Sequence, residues 1–139
     1  MFMENNREKG AASVEFALIL PLLLLMLFLI IEFSIILYDK AVITNASREG
    51  ARSGIVNSAA PRVSVGTITS TVNTYCGSNL ISFGPDTPVT SVPSGACVNP
   101  GDLLTVHVTY TYSFFVLPNL LGGMNSGITL TGNTVMRCE

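Results

Sequence analysis

Residues Lys9 to Gly54 read KGAASVEFALILPLLLLMLFLIIEFSIILYDKAVITNASREGARSG, and the reading of this stretch decides the fold. Phe16 to Ile31 contains no polar residue, and widening the window from Ala11 toward Tyr38 adds only Ser13, Glu15, Glu32 and Ser34. At ~1.5 Å of rise per residue, a helix from Ala11 to Ile31 is roughly 30 Å long, the thickness of a bilayer's hydrocarbon core. One helix is therefore expected to span a membrane once. The rest of the chain is too small to enclose such a run as a buried core helix. A removable signal peptide also begins with basic residues before an apolar run, but its apolar region is about 7 to 15 residues long and ends at a small-x-small cleavage site. Here the run is longer and no such site precedes Tyr38. The reading is an anchor that stays.

With 139 residues, a net charge of −2 and no Trp, the chain has room for one membrane segment and one small domain. It carries no basic patch and no finger-like or RNP-like motif, which argues against nucleic acid as a partner. Cys76, Cys97 and Cys138 all follow the anchor and lack the paired CxxC spacing of zinc sites. In an extracytoplasmic domain they imply at least one disulfide. The flanking charges alone leave the topology open. Arg7 and Lys9 stand with Glu4 and Glu8 before the anchor, and Lys40, Arg48 and Arg52 come after it. The cysteines favour a cytoplasmic N-terminus and an outside C-terminal domain.

Residues 1–10 form a polar leader, too short to fold by itself, that ends in Gly10. Glu15 then lies one turn inside the apolar helix. An ionisable group in a membrane helix costs a few kcal/mol on insertion scales, so it marks a functional position that needs a partner such as an amine.

Gly10 followed by an apolar helix with Glu at the fifth position resembles the processing site of type IV pilin-like precursors. The wider run, with GAASVEFAL, the early Pro21 and the distal REGAR of residues 48–52, is similar to the TadE-like family of Tad (Flp) pilus assembly proteins. Farther on, the likeness rests on Pro100-Gly101-Asp102 and on Met136-Arg137-Cys138-Glu139. The resemblance implies a minor pseudopilin cut by a prepilin peptidase between Gly10 and Ala11, with Glu15 as the carboxylate that sets subunit register. Its implied partners are that peptidase, other pilin-like subunits and the Tad inner-membrane assembly proteins. The implied location is the bacterial cytoplasmic membrane, with a pilus as a further destination. After the cut, Ala11 carries a cationic amine that pairs with Glu15 of its own or a neighbouring helix, compensating two groups that are costly in lipid. Pilins of the commonest class begin with a methylated Phe, whereas Ala11 stands here.

Pro21 is expected to curve the helix rather than break it. Glu32 falls near the far interface, and Asp39 and Lys40 in water. Residues 39–60 extend the helix and lead into a linker, with Ala46, Gly50 and Gly54 at i, i+4 and i+8 as candidate helix-packing positions. The alternative is that the glycines only weaken and finish the helix before Pro61. Arg48 and Arg52 are expected to be solvated or paired with Glu49.

Residues 61–139 are read as a small extracytoplasmic domain. Ser64 to Cys76 has helical spacing of Val65, Ile68, Val72 and Cys76. Gly77 to Gly101 reads as loop, with a short strand near Ile81 to Phe83. From Leu103 to Phe115, apolar Leu104, Val106, Val108, Tyr110, Tyr112 and Phe114 alternate with polar residues, which marks a half-buried strand. Leu117 to Gly127 is turn-rich and leads to a second strand, Ile128 to Cys138, with a bulge expected at Gly132. A two-stranded hairpin is marginal alone, so a third strand or helical cover is required. The fold class is α+β. For the disulfide, Cys76 with Cys97 closes a loop of about 20 residues and is favoured, while hairpin geometry keeps Cys97 with Cys138 as its rival.

His107, the single histidine, lies on the polar strand face and is expected to be solvated or bonded across strands. No catalytic constellation, phosphate-cradling loop or paired carboxylates appear, so the chain is read as a non-enzyme without cofactor, metal or small-molecule substrate. An uncleaved bitopic binding module, with Glu15 incidental, is the alternative function.

Overall fold

The computed structural model describes residues 4–56, 63–83, 87–92, 95–115 and 127–139, and the turn-rich segment after Leu117 lies outside them save for Gly127. The elements are α1 (Glu4–Ile55), α2 (Val65–Asn79), β1 (Val89–Ser91), β2 (Leu103–Tyr112) and β3 (Ile128–Arg137). Together they make the expected α+β arrangement, with a three-stranded antiparallel sheet in the order β1-β2-β3.

α1 is one helix of 52 residues with Pro21 inside it. It starts within the polar leader and passes through Gly10 without a break. Ten residues would not form a stable helix alone, but propagation from an apolar segment already helical costs little per residue. Its surface changes character at Glu32. Before that point large apolar side chains from Val14 to Ile31 stand exposed around the helix. Just past that run, Ser34 Oγ donates to Ile30 O at 2.7 Å, as hydroxyls in apolar helices do. From Glu32 onward a stripe with steps of three and four residues is buried, through Asp39, Val42, Ile43, Ala46, Ser47, Gly50 and Gly54. That is one face of a 3.6-residue period, and the small domain lies along it.

Ser64 caps α2, its side chain accepting the Thr67 N–H at 3.2 Å, and Ile68, Val72 and Cys76 form the buried face. β2 pairs β3 without interruption from Leu103 opposite Arg137 to Tyr112 opposite Ile128. Leu104, Val106, Val108, Tyr110 and Tyr112 turn inward, as their alternation requires. These side chains, with Ile68 and Val72 of α2 and Ile43, Ala46 and Ala51 of α1, make the core.

Three local expectations are corrected. Gly132 is no bulge: it pairs with Val108 in an unbroken ladder. The residue is small because a Cβ there would lie 2.6 Å from the Ile43 carbonyl oxygen, so glycine lets helix and sheet touch backbone to backbone. The strand expected at Ile81 to Phe83 forms instead at Val89–Ser91, where Thr90 pairs with Val108; Ile81 gives its N–H to the Asp39 carboxylate. The disulfide joins Cys97 to Cys138, not Cys76 to Cys97. The hairpin register fixes this, because Cys138 follows Arg137 at the end of the ladder and exchanges backbone hydrogen bonds with Gly101 and Asp102. Cys76 is free and buried in the core on α2.

Candidate functional site

The sequence directs attention first to Gly10, Ala11 and Glu15. All three are exposed along the apolar half of α1, and a Cβ at Gly10 would meet nothing within 4 Å. Among the described residues, packing thus gives no reason for a glycine at residue 10. Ala11 and Glu15 are one helical turn apart, the spacing at which side groups meet on a helix.

Gly50 and Gly54 are used inside the chain. A Cβ at Gly50 would lie 2.5 Å from Val72 Cγ2, and one at Gly54 would lie 2.5 Å from Leu104 Cδ2 and 2.7 Å from Ile68 Cδ1. The helix they admit is α2 of the same chain, with β2 beside it. Ala46 is fully buried in the same stripe.

The group that sequence reasoning missed lies where α1 leaves its apolar half. The sequence places Glu32 near the far interface and Asp39 in water, yet they are 3% and 0% exposed. Each carboxylate accepts a backbone N–H from a different loop of the domain. Glu32 Oε1 takes that of Phe115 at 2.6 Å, and Asp39 Oδ1 takes that of Ile81 at 3.0 Å. Charge-assisted bonds of this kind are about twice as strong as neutral ones. Two loops are thereby tied to one helix face two turns apart. The available signal was the spacing: Glu32 and Asp39 fall in register with Val42, Ile43 and Ala46.

Tyr112 completes this junction. Its hydroxyl is buried with no hydrogen-bond partner among the described residues. Burial, and then the negative charges of Glu32 and Asp39 and the neighbouring Tyr110, push its ionisation up to about 12. Burial likewise raises Asp39 above the ordinary carboxylate range, and the Ile81 amide only partly opposes it. On one side of Glu32 an apolar recess of about 170 Å³ is walled by Phe28, Ile31, Phe83, Tyr112 and Phe115. On its other side Leu29, Phe33, Ile36, Phe114 and Ile128 line a second recess.

Elsewhere the chemistry is sparse. His107 is half-buried opposite Ser91 and Asn133, and its Nε2 is enclosed rather than solvated, with no hydrogen-bond partner among the described residues. Burial pushes the Cys76 thiol up to about 11, which makes it a poor nucleophile. Among the described residues no cluster of three His, Cys, Asp or Glu side chains is placed to hold a metal ion.

No curated protein and no solved structure matches the chain. The family model described as TadE-like protein matches residues 10–52, from the glycine before Ala11 to the second arginine of REGAR, so the likeness covers the segment that carries both the exposed Glu15 and the buried Glu32 and Asp39.

Proposed function

We propose that this chain is a membrane-anchored minor pseudopilin of a Tad-type pilus or secretion apparatus, cut by a prepilin peptidase after Gly10. The TadE-like match suggests a protein associated with the Tad pilus, and the matched segment begins at that glycine. The observation that carries the finer reading is the division of α1. Its apolar half, with Glu15, is exposed to neighbours, while the half beyond Glu32 is clamped by its own domain. Lateral association then uses residues 11–31 and leaves the glycine stripe to the fold. The new Ala11 amine pairs with Glu15 and sets the register between subunits. The Cys97–Cys138 disulfide supports an N-in, C-out orientation, because such bonds persist outside the cytoplasm.

Intact mass and N-terminal sequencing of the protein from bacterial membranes test the cut. A product beginning at Ala11 is expected, and the mass also reads any methyl group. A product retaining Met1 would replace this function with that of an uncleaved bitopic binding module. Glu15→Leu should still be cleaved but fail to assemble, and normal pili from that variant would sink the register role.

A further inference from the structure

The apolar surface of α1 does not stop at Ile31. Glu32 Oε1 holds the Phe115 N–H at 2.6 Å, which fixes the Phe115 ring at the level where the helix leaves the hydrocarbon. Phe83, from the loop after α2, stacks on that ring with centroids 5.0 Å apart. On the opposite flank of Glu32, Phe33 and Ile128 stand beside the second recess. Phe33, Phe83, Phe115 and Ile128 are all exposed, and Phe115 keeps 61% of its surface accessible. In a water-soluble domain, four such side chains gathered at one end would be an unpaid cost, since exposed apolar patches mark a binding surface. Here they adjoin the lipid-facing part of the helix.

We propose that these four side chains form a collar that sinks into the outer leaflet at the headgroup–acyl boundary, so that the domain is seated on lipid rather than held above it. This rests on the anchored reading of residues 11–31. Continuity names the occupant: the collar and both recesses extend the surface of Phe28, Leu29 and Ile31, whose neighbour is acyl chain. Phe and Leu side chains of interfacial elements bury themselves at this headgroup–acyl boundary. The collar also wraps Glu32, whose carboxylate would otherwise meet hydrocarbon at the end of the span. Seating on both flanks fixes the depth of the helix and the rotation of the domain about it.

The chain has no Trp, so single tryptophans report cleanly. The full chain is reconstituted in phosphatidylcholine vesicles with and without acyl-brominated phosphatidylcholine. The variants are Phe83→Trp, Phe115→Trp, Leu22→Trp within the span and Val98→Trp at the opposite end of the domain. Blue-shifted emission from Phe83→Trp and Phe115→Trp, with quenching several-fold stronger than at Val98→Trp, is the expected result. Quenching of Leu22→Trp alone would overturn the collar and leave the anchor intact. Absence of quenching at Leu22→Trp would overturn the anchor, and the collar with it. Equal quenching at Val98→Trp would overturn a defined seat. Emission from the collar positions that is blue-shifted but unquenched, and reverts on dilution with lipid, would assign the surface to a second copy and overturn lipid as its occupant.

Discussion

Asp39, buried on α1, accepts the backbone N–H of Ile81 at 3.0 Å across 42 residues of sequence. A buried amide that loses its acceptor costs about 1–3 kcal/mol, so Asp39→Ala should lower domain stability by about that much. Asp39→Asn keeps an acceptor oxygen and removes the charge. Because the folded state raises this group's pKa above its ordinary 3.8, its stabilising effect is full below that value and declines as pH rises through the folded pKa. Urea unfolding of wild type should therefore show greater stability near pH 4 than this group permits at neutral pH, with Asp39→Asn flattening that difference. An unchanged pH profile in Asp39→Asn would show that the carboxylate is not stressed by burial.

Tyr112 extends the same argument to alkaline pH. Of the four tyrosines, one should titrate late by ultraviolet absorbance, near 12. Its folded pKa lies above the ordinary 10.0, so the stability it contributes is present below 10.0 and is lost as pH rises through about 12. Tyr112→Phe removes a buried hydroxyl that has no hydrogen-bond partner among the described residues, and should be neutral or stabilising by about 1 kcal/mol. A loss of 2 kcal/mol or more, on the order of a full unsatisfied-group penalty, would reveal a partner for that oxygen.

Two glycines should respond in opposite ways to the same methyl group. Gly132→Ala drives a Cβ to within 2.6 Å of the Ile43 carbonyl oxygen, and overpacking of this kind costs about 1–3 kcal/mol. Gly10→Ala meets nothing within 4 Å and removes a helix-weakening residue, so thermal unfolding of the domain should be unchanged. In cells that second variant should accumulate uncut precursor. A processed Gly10→Ala protein would separate Gly10 from the peptidase step.

Reducing the Cys97–Cys138 bond opens a link between positions 41 apart, worth about 4 kcal/mol in the chain-entropy picture. Peptide mapping without reductant should recover a Cys97–Cys138 fragment, and Cys76→Ser should leave that fragment intact. Recovery of a Cys76–Cys97 fragment from native protein would contradict the register of β3. Cys76 should resist alkylation until the domain unfolds, because it is buried and its thiol is pushed up to about 11.

What could be read from the sequence was what depends on near neighbours. The unbroken alternation from Leu104 to Phe114 gave β2, and Ile68, Val72 and Cys76 gave the buried face of α2. The sixteen apolar residues from Phe16 to Ile31 gave the exposed half of α1. What escaped depends on contacts between distant segments. By charge and helical rise Glu32 reads as an interface residue and Asp39 as a wet one, and only the docking of two loops supplies the amides that let them be buried. Gly132 looks like a bulge because glycine in a strand often marks one, and only the approach of Ile43 shows its use. Three cysteines admit three single bridges, and the choice among them waits on the hairpin register. β1 is too short to leave a periodic signal. For Gly10, Ala11 and Glu15 the motif is the whole argument, since among the described residues a Cβ at Gly10 would meet nothing within 4 Å.

The continuity of α1 has a mechanical consequence. Helical rise over 52 residues gives a rod of roughly 78 Å, and Pro21 does not interrupt it. The domain grips the C-terminal part of that rod along several turns, through core packing, two carboxylate-to-amide bonds and the close approach at Gly132. A push or a twist applied to the N-terminal end therefore reaches the domain with little slack, as in a piston whose head is fused to its shaft.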